Sequence, residues 1–153
     1  MRTQLYTALI DKLKEYTGSD GTPIFRHFDL WNRQVDFLED EAPFDLPAIF
    51  IEFPHIEWKS PMQGVQRAEI PVVLHVATEY KGSESDGSIY PSAALERLNI
   101  VDGLARHLFN WRYSDASFAV HQTCRTASDT NHDHAEIIED IEQFSCVVTH
   151  NYK

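Results

Sequence analysis

The chain has 153 residues, a length typical of one compact domain. Hydrophobic residues make up 42% of it and charged residues 24%, so the composition predicts a soluble globular protein and excludes a collagen-like, low-complexity or disordered chain. The chain contains 13 basic and 24 acidic residues, which gives a formal net charge of −11. Because no run of three basic residues occurs, we expect the surface to repel nucleic acid.

The cysteines and the N-terminal sequence bear on the compartment. Cys124 and Cys146 lie in apolar, strand-like sequence, and we expect them to be small buried thiols rather than a disulfide. Charged residues interrupt the apolar residues of the first 16 positions, so we predict no signal peptide. No apolar run approaches the roughly 20 residues that span a bilayer. The sequence therefore predicts a protein kept in a reducing cytoplasm, or in a particle assembled there, without a membrane partner.

Acidic residues concentrate in two stretches that contain no lysine or arginine. Residues 34–58 include seven of them, and residues 126–152 include six. We interpret both stretches as solubilising surface or, in a more specific hypothesis, as an acidic wall that faces an anionic molecule.

The first half of the chain predicts one helix and two strands. Leu5, Leu9, Leu13 and Tyr16 recur at helical spacing, and the helix should end near Gly18. The aromatic-rich residues 24–31 form a candidate first strand, and the acidic, proline-flanked residues 32–46 are expected to form a loop. Residues 48–53 alternate as a short strand between two prolines, and a turn follows at 61–64.

The second half predicts one long strand, a helix and a terminal hairpin. Residues 65–80 form the long strand, in which Pro71 should lie at an edge or a bulge. A flexible loop near 81–90 leads to a helix from about Pro91 to Asn110, whose expected buried stripe is Leu95, Leu98, Val101, Ala105 and Leu108. Residues 118–126 and 140–149 should pair as an antiparallel hairpin with its tip near 127–135.

This order of elements lacks the βαβ alternation of a parallel sheet. It predicts an α+β fold, with an antiparallel (mixed-edge) sheet of about four to five strands and two main helices packed on one face. We expect residues 1–153 to form a single domain.

The sequence contains no catalytic signature, and we predict that the protein is not an enzyme. There is no nucleophile elbow and no glycine-rich phosphate cradle. His132, Asp133 and His134 resemble a short metal-binding tract, but no third ligand stands at a recognised spacing, so a solvated hairpin tip is the favoured interpretation. We predict no metal ion and no cofactor.

Aromatic residues are more numerous than a core of this size can easily hide. We therefore expect part of them to lie on a surface that contacts another protein, where aromatic side chains concentrate. Such a surface on a soluble chain favours oligomerisation. The candidate interface residues are Trp31, Phe44, Trp58, Pro71, Tyr80 and Tyr90.

The order of these elements resembles a known family. An N-terminal amphipathic helix leads to the proline-entered strand Leu46-Pro47-Ala48-Ile49-Phe50-Ile51. The long strand over 69–78 precedes a loop and the helix over 93–111, and the terminal hairpin ends in Phe144-Ser145-Cys146-Val147-Val148. In element order, length and patterning the chain resembles the tail terminator and tail-completion proteins of long-tailed bacteriophages.

The resemblance implies a structural role in the virion. It implies a homo-oligomeric ring, usually of six subunits, that is assembled in the host cytoplasm, caps the tail tube and joins it to the head–tail neck. Its partners would be the tail-tube protein and the neck or connector proteins, and DNA would pass through without specific binding. Two alternatives stay open: a non-viral cytoplasmic adaptor or ligand-binding module, and a metal-dependent enzyme that uses the His132–His134 segment.

Overall fold

The computed structural model describes residues 1–36, 44–80, 91–134 and 136–152, and within them two helices and a curled mixed sheet. The α+β class is confirmed, but the predicted strand count of four to five is too low. In chain order the elements are α1 (Arg2–Lys14), β1 (His27–Leu30), β2 (Ala48–Glu52), β3 (Trp58–Met62), β4 (Val65–Glu79), α2 (Pro91–Leu108), β5 (Tyr113–Ser114), β6 (Phe118–Asn131) and β7 (Ile137–Asn151).

The centre of the sheet is the antiparallel pair of β4 and β7. The two strands stay in register over their whole length, from Val65 opposite Asn151 to Glu79 opposite Ile137. Along β4, the predicted apolar residues Ile70, Val72, Leu74 and Val76 lie in the main core, and all of residues 72–78 are buried because both faces of the strand are covered there.

The other strands flank this pair in the order β1-β2-β4-β7-β6-β5. β1 runs parallel to β2, and the remaining pairs are antiparallel. β3 pairs with residues 65–68 of β4 and β2 with residues 73–77. Pro71 lies between these two stretches, in a gap where proline is tolerated because β4 has no described strand partner on that side.

Two strands, β3 and β5, were not predicted from the sequence, for different reasons. β3 contains Lys59, Ser60 and Pro61 and has no alternation of buried and exposed residues. Its pairing follows instead from the turn at Gly64, whose φ of 77° returns the chain onto β4. β5 is only two residues long, which is too short for any periodicity. The β6–β7 ladder also extends closer to the turn than predicted, to Asn131 opposite Glu139.

Both helices contribute to one core on the same face of the sheet. From α1 the predicted residues Leu5, Leu9 and Leu13 are buried, and they share a cluster with Leu104 and Leu108 of α2. The sheet contributes apolar residues from four strands to this cluster: Ile49, Ile51, Ile70, Val72, Leu74, Val76, Phe118, Val120, Phe144, Cys146 and Val148.

The buried stripe of α2 differs from the predicted one. Val101 and Leu108 are buried as expected and Ala105 is half-buried against the core, but Leu95 and Leu98 are 63% and 49% exposed. The prediction was wrong because α2 has two adjacent apolar stripes, and the helix is rotated so that Leu104 and Leu108 face the core, while Val101 is buried outside the core cluster.

A smaller apolar cluster covers the opposite face of β2 and β4. It contains the buried residues Val35, Ala48, Phe50, Ala77 and Ile137, with Trp31, Phe44 and Leu46 packed against it. In the described part of the chain, neither helix is long and apolar enough to cross a membrane.

Candidate functional site

One lateral edge of the sheet is formed by β6, and much of it is unpaired. β5 pairs only with Ala119 and Val120, and the carbonyl of Thr123 accepts a hydrogen bond of 2.8 Å from the N–H of Asn110. Beyond Thr123, no described strand pairs with the outer side of β6, and residues 125–129 are all exposed. Unpaired strand edges of this length are surfaces on which another strand can add.

Beside this edge lies the second apolar stripe of α2. Leu95, Leu98 and Phe109 are 63%, 49% and 64% exposed. Leu95 and Leu98 lie on one side of α2 together with Asp102, and Phe109 directly follows the last residue of the helix. An ion pair of 3.6 Å between Arg125 Nη1 and Asp102 Oδ1 joins this side of α2 to β6. We call Leu95, Leu98, Asp102 and Phe109 the α2 stripe.

The other lateral edge is formed by β1, which pairs only with β2 in the part of the chain that the structure describes. Next to it, α1 and the two strands enclose an open cleft of about 480 Å³. Leu30, at the end of β1, borders the cleft and is 48% exposed. The cleft is lined by Arg2, Thr3, Tyr6, Leu30, Trp31, Ile51, Glu52 and Phe53, and we call it the α1–β1 cleft.

The six predicted interface residues do not form one surface. Trp31 and Phe44 are half-buried in the cluster on the far face of β2, and Trp58 packs against the main core. Pro71 lies within β4, and Tyr80 just after β4 is 43% exposed. Tyr90 lies outside the described residues. Their role in an interface stays a prediction, whereas Leu95 and Leu98 of the α2 stripe were predicted to be buried and are exposed.

Part of the second acidic stretch is buried rather than exposed. Glu139, Asp140 and Glu142 of β7 are only 2 to 3% exposed. The interpretation of residues 126–152 as acidic surface therefore holds for Asp129, Asp133 and Glu136, which are exposed, but not for these three. Each of the buried carboxylates lies within hydrogen-bond distance of a cationic or imidazole side chain from another element.

Glu139 is held by His75 of β4 on the face away from the helices. His75 Nδ1 lies 2.6 Å from Glu139 Oε1, and its Nε2 lies 3.1 Å from Glu52 Oε2. The Trp31 ring stacks on His75 with centroids 3.7 Å apart, so the imidazole lies between two carboxylates and against an aromatic face.

The environment of Glu139 shifts its acidity. Burial by itself raises the pKa of Glu139, but the hydrogen bonds that it accepts from His75 and Asn131 outweigh this effect, and its pKa lies below the ordinary value. Asn131 Nδ2 donates to the second carboxylate oxygen over 2.9 Å.

Asp140 and Glu142 point toward α2 instead. Arg97 Nη1 lies 2.8 Å from both oxygens of Asp140, and Thr130 Oγ1 donates to the same carboxylate over 2.9 Å. Burial raises the pKa of Glu142, although it accepts hydrogen bonds from Ser128 and Arg125. Together these contacts connect α2, β6 and β7 around buried charges, an arrangement that requires every partner.

We predict opposite pH dependences for the two buried glutamates of β7. Because the pKa of Glu139 is lowered by folding, its contribution to the free energy of unfolding is present above its ordinary pKa of 4.5 and is lost as the pH falls below that value. The destabilisation caused by Glu139→Gln should therefore shrink on acidification. The pKa of Glu142 is raised by folding, so its ionisation above pH 4.5 destabilises the wild type. The free energy of unfolding of Glu142→Gln should therefore increase relative to that of the wild type as the pH rises above 4.5.

Urea titrations at a series of pH values from about 3 to about 7.5, a range that brackets the titration of carboxylates, measure both effects. The two variants serve as controls for each other, since both remove one buried carboxylate from the same strand. Parallel pH profiles for the two variants would contradict the assigned shifts.

The two histidines of the 132–134 segment, which the sequence analysis considered as an alternative metal-binding tract, lie in different environments. His132 is exposed, whereas His134 is half-buried with Nε2 3.3 Å from Glu139 Oε2. In the ranges that the structure describes, no group of three or more histidine, cysteine, aspartate or glutamate side chains could hold a metal ion.

The cysteines are free thiols, with Cys146 buried and Cys124 half-buried. Burial raises the pKa of Cys146 to about 11, so its thiol is protonated at neutral pH.

The sequence analysis did not single out His75, Arg97 or Asp140. The signal that could have found the buried carboxylates is the segment Ile137-Ile138-Glu139-Asp140-Ile141-Glu142, in which acidic residues interrupt a run of β-branched residues. The partners of Glu139 and Asp140 lie 64 and 43 residues away in the sequence, so nothing local indicates these two pairings.

Comparison of the sequence with models of protein families and with curated proteins finds no match.

Proposed function

We propose that this protein is a virion structural subunit that assembles into a ring, caps a phage tail tube and joins it to the head–tail neck, as in the tail terminator proteins that it resembles. The observation that carries the proposal is that exposed apolar side chains flank both open lateral edges of the sheet. Leu95, Leu98 and Phe109 lie beside β6, and Leu30 lies at β1.

Exposed apolar groups and unpaired strand edges both favour association. Burying apolar surface contributes about 25 cal/mol per Å², and strand edges gain hydrogen bonds when they are covered. Because the two edges differ in structure, a contact between them is head to tail, and head-to-tail contacts produce a ring when the rotation closes.

The charge of the chain is compatible with the passage of DNA through such a ring. Six copies at −11 each would carry a formal charge of 6 × −11 = −66. A ring of this charge repels phosphates and does not grip the duplex, because tight binding would require their neutralisation by lysine and arginine.

The mass in solution tests the proposal. We expect light scattering and native mass spectrometry to give a hexamer, about 106 kDa for six copies of 17.6 kDa, or a monomer that forms a ring when purified phage tail tubes are added. Negative-stain images should then show a ring at the tube end. The proposal would be contradicted by a chain that does not bind tail tubes and stays monomeric up to about 100 µM. This concentration exceeds the Kd of typical stable protein–protein contacts.

A further inference from the structure

We propose that the copies in this assembly join head to tail, with the α2 stripe of one copy seated in the α1–β1 cleft of the next and β6 of the first running beside β1 of the second. The inference rests on the proposed self-assembly and names the two surfaces that perform it. Both surfaces belong to described residues and differ from the interface residues predicted from the sequence.

The directions of the strands permit this contact. β4 is antiparallel to β2 and to β7, and β6 is antiparallel to β7. β1 is parallel to β2, so β1 and β6 run in opposite directions at opposite edges of the sheet. Two copies set side by side in the same orientation therefore bring β6 against β1 as an antiparallel pair, with the helices of both copies on the same face.

The same placement brings the apolar surfaces together. The α2 stripe adjoins β6 through the contact of Asp102 with Arg125, and the cleft adjoins β1 through Leu30. The stripe exposes Leu98 on the helix and Phe109 just beyond its C-terminal end, whereas the cleft is concave and has aromatic walls from Tyr6, Trp31 and Phe53. An apolar ridge and an aromatic cleft are the two halves of a typical interface core.

The charges favour the head-to-tail contact over a two-fold one. Asp102 lies midway between Leu95 and Phe109, so a symmetric antiparallel contact between two stripes would place Asp102 opposite its own copy. Like charges that face each other across an interface are unfavourable. In the head-to-tail contact, Asp102 instead approaches a cleft whose charged lining residues, Arg2 and Glu52, are one of each sign, so Arg2 can pair with Asp102 and no Asp102 faces its own copy.

Two single substitutions test the contact, one on each surface. Leu98→Asp places a charge on the stripe, and Leu30→Asp places one at the cleft; both side chains are about half exposed, so the fold should tolerate them. Each variant should lose assembly. An equimolar mixture should form a heterodimer of two chains at 17.6 kDa each, about 35 kDa, because only the intact stripe of one variant can enter the intact cleft of the other.

The control is Met62→Asp on β3, which is 65% exposed and lies outside both surfaces, and it should assemble as the wild type does. Sedimentation equilibrium, with tail tubes added where the wild type requires them, measures all species, and circular dichroism confirms folding. Assembly of either single variant overturns this interface and leaves the ring intact. Monomeric variants that do not pair on mixing overturn the head-to-tail geometry. A wild type that never assembles overturns the proposed function itself.

Discussion

Replacing Arg97 with methionine should lower the free energy of unfolding by about 3 to 5 kcal/mol, the usual loss when one partner of a buried ion pair is removed. The Arg97 side chain is 14% exposed and that of Asp140 is 5% exposed, and Arg97 Nη1 lies 2.8 Å from the carboxylate. Without Arg97, Asp140 keeps only the hydrogen bond from Thr130 in the described structure. A buried carboxylate with a single neutral hydrogen-bond donor is poorly solvated, and this raises the free energy of the folded state.

A second substitution separates loss of charge pairing from loss of packing. Asp140→Asn removes the carboxylate charge and keeps an acceptor for Thr130, so Arg97→Met/Asp140→Asn should recover much of the stability that Arg97→Met loses. Lys12→Met is the matched control, because it removes a lysine from a surface pair with Glu15 and should have a much smaller effect. Urea unfolding at one fixed protein concentration gives the three values. A loss at Arg97 no larger than that at Lys12 would show that the pair contributes little.

Replacing Gly103 with alanine should destabilise the protein by about 1 to 3 kcal/mol, the usual cost of overpacking. In an exposed helix the same change would stabilise by about 1 kcal/mol, because alanine is the better helix former. Here a Cβ on Gly103 would collide with the Tyr16 hydroxyl and would lie 2.8 Å from Tyr16 Cζ. Tyr16 cannot move freely, because its hydroxyl donates to the Ile100 carbonyl over 3.1 Å and its ring stacks on His107.

The sign of the effect should depend on Tyr16. In a Tyr16→Ala background the obstacle is absent, so Gly103→Ala should become stabilising by roughly the helix-propensity difference of about 1 kcal/mol. Thermal or urea unfolding of the four proteins of this cycle measures the coupling. If Gly103→Ala has the same effect in both backgrounds, the close approach of Tyr16 to α2 at this point does not limit stability.

The contact at Gly103 also bears on assembly. Tyr16 reaches α2 only because position 103 has no side chain, and this contact helps to set how α2 lies against α1. The rotation of α2 decides which of its two apolar stripes is buried. We therefore expect Gly103→Ala to weaken the proposed self-association as well as stability, since it would shift the α2 stripe relative to β6.

Much of the fold follows from local pattern. The helical spacing of Leu5, Leu9 and Leu13 and the alternation from Ile70 to Val76 identify α1 and β4, because an element that buries one face must repeat its apolar residues with its own period. The absence of βαβ alternation correctly indicated the α+β class. The strand count was too low because β3 and β5 depend on pairing with neighbours and have no pattern of their own.

Other features were decided only by tertiary structure. The sequence by itself determined that α2 is amphipathic, but not that Leu95 and Leu98 face outward, because two apolar stripes on one helix are equivalent until other elements cover one of them. It determined that β7 is rich in acidic residues, but their burial depends on His75 and Arg97, which only the folded chain brings to them. The physical reason is the same in both cases: periodicity is a local property, whereas burial and charge pairing depend on contacts between residues far apart in the chain.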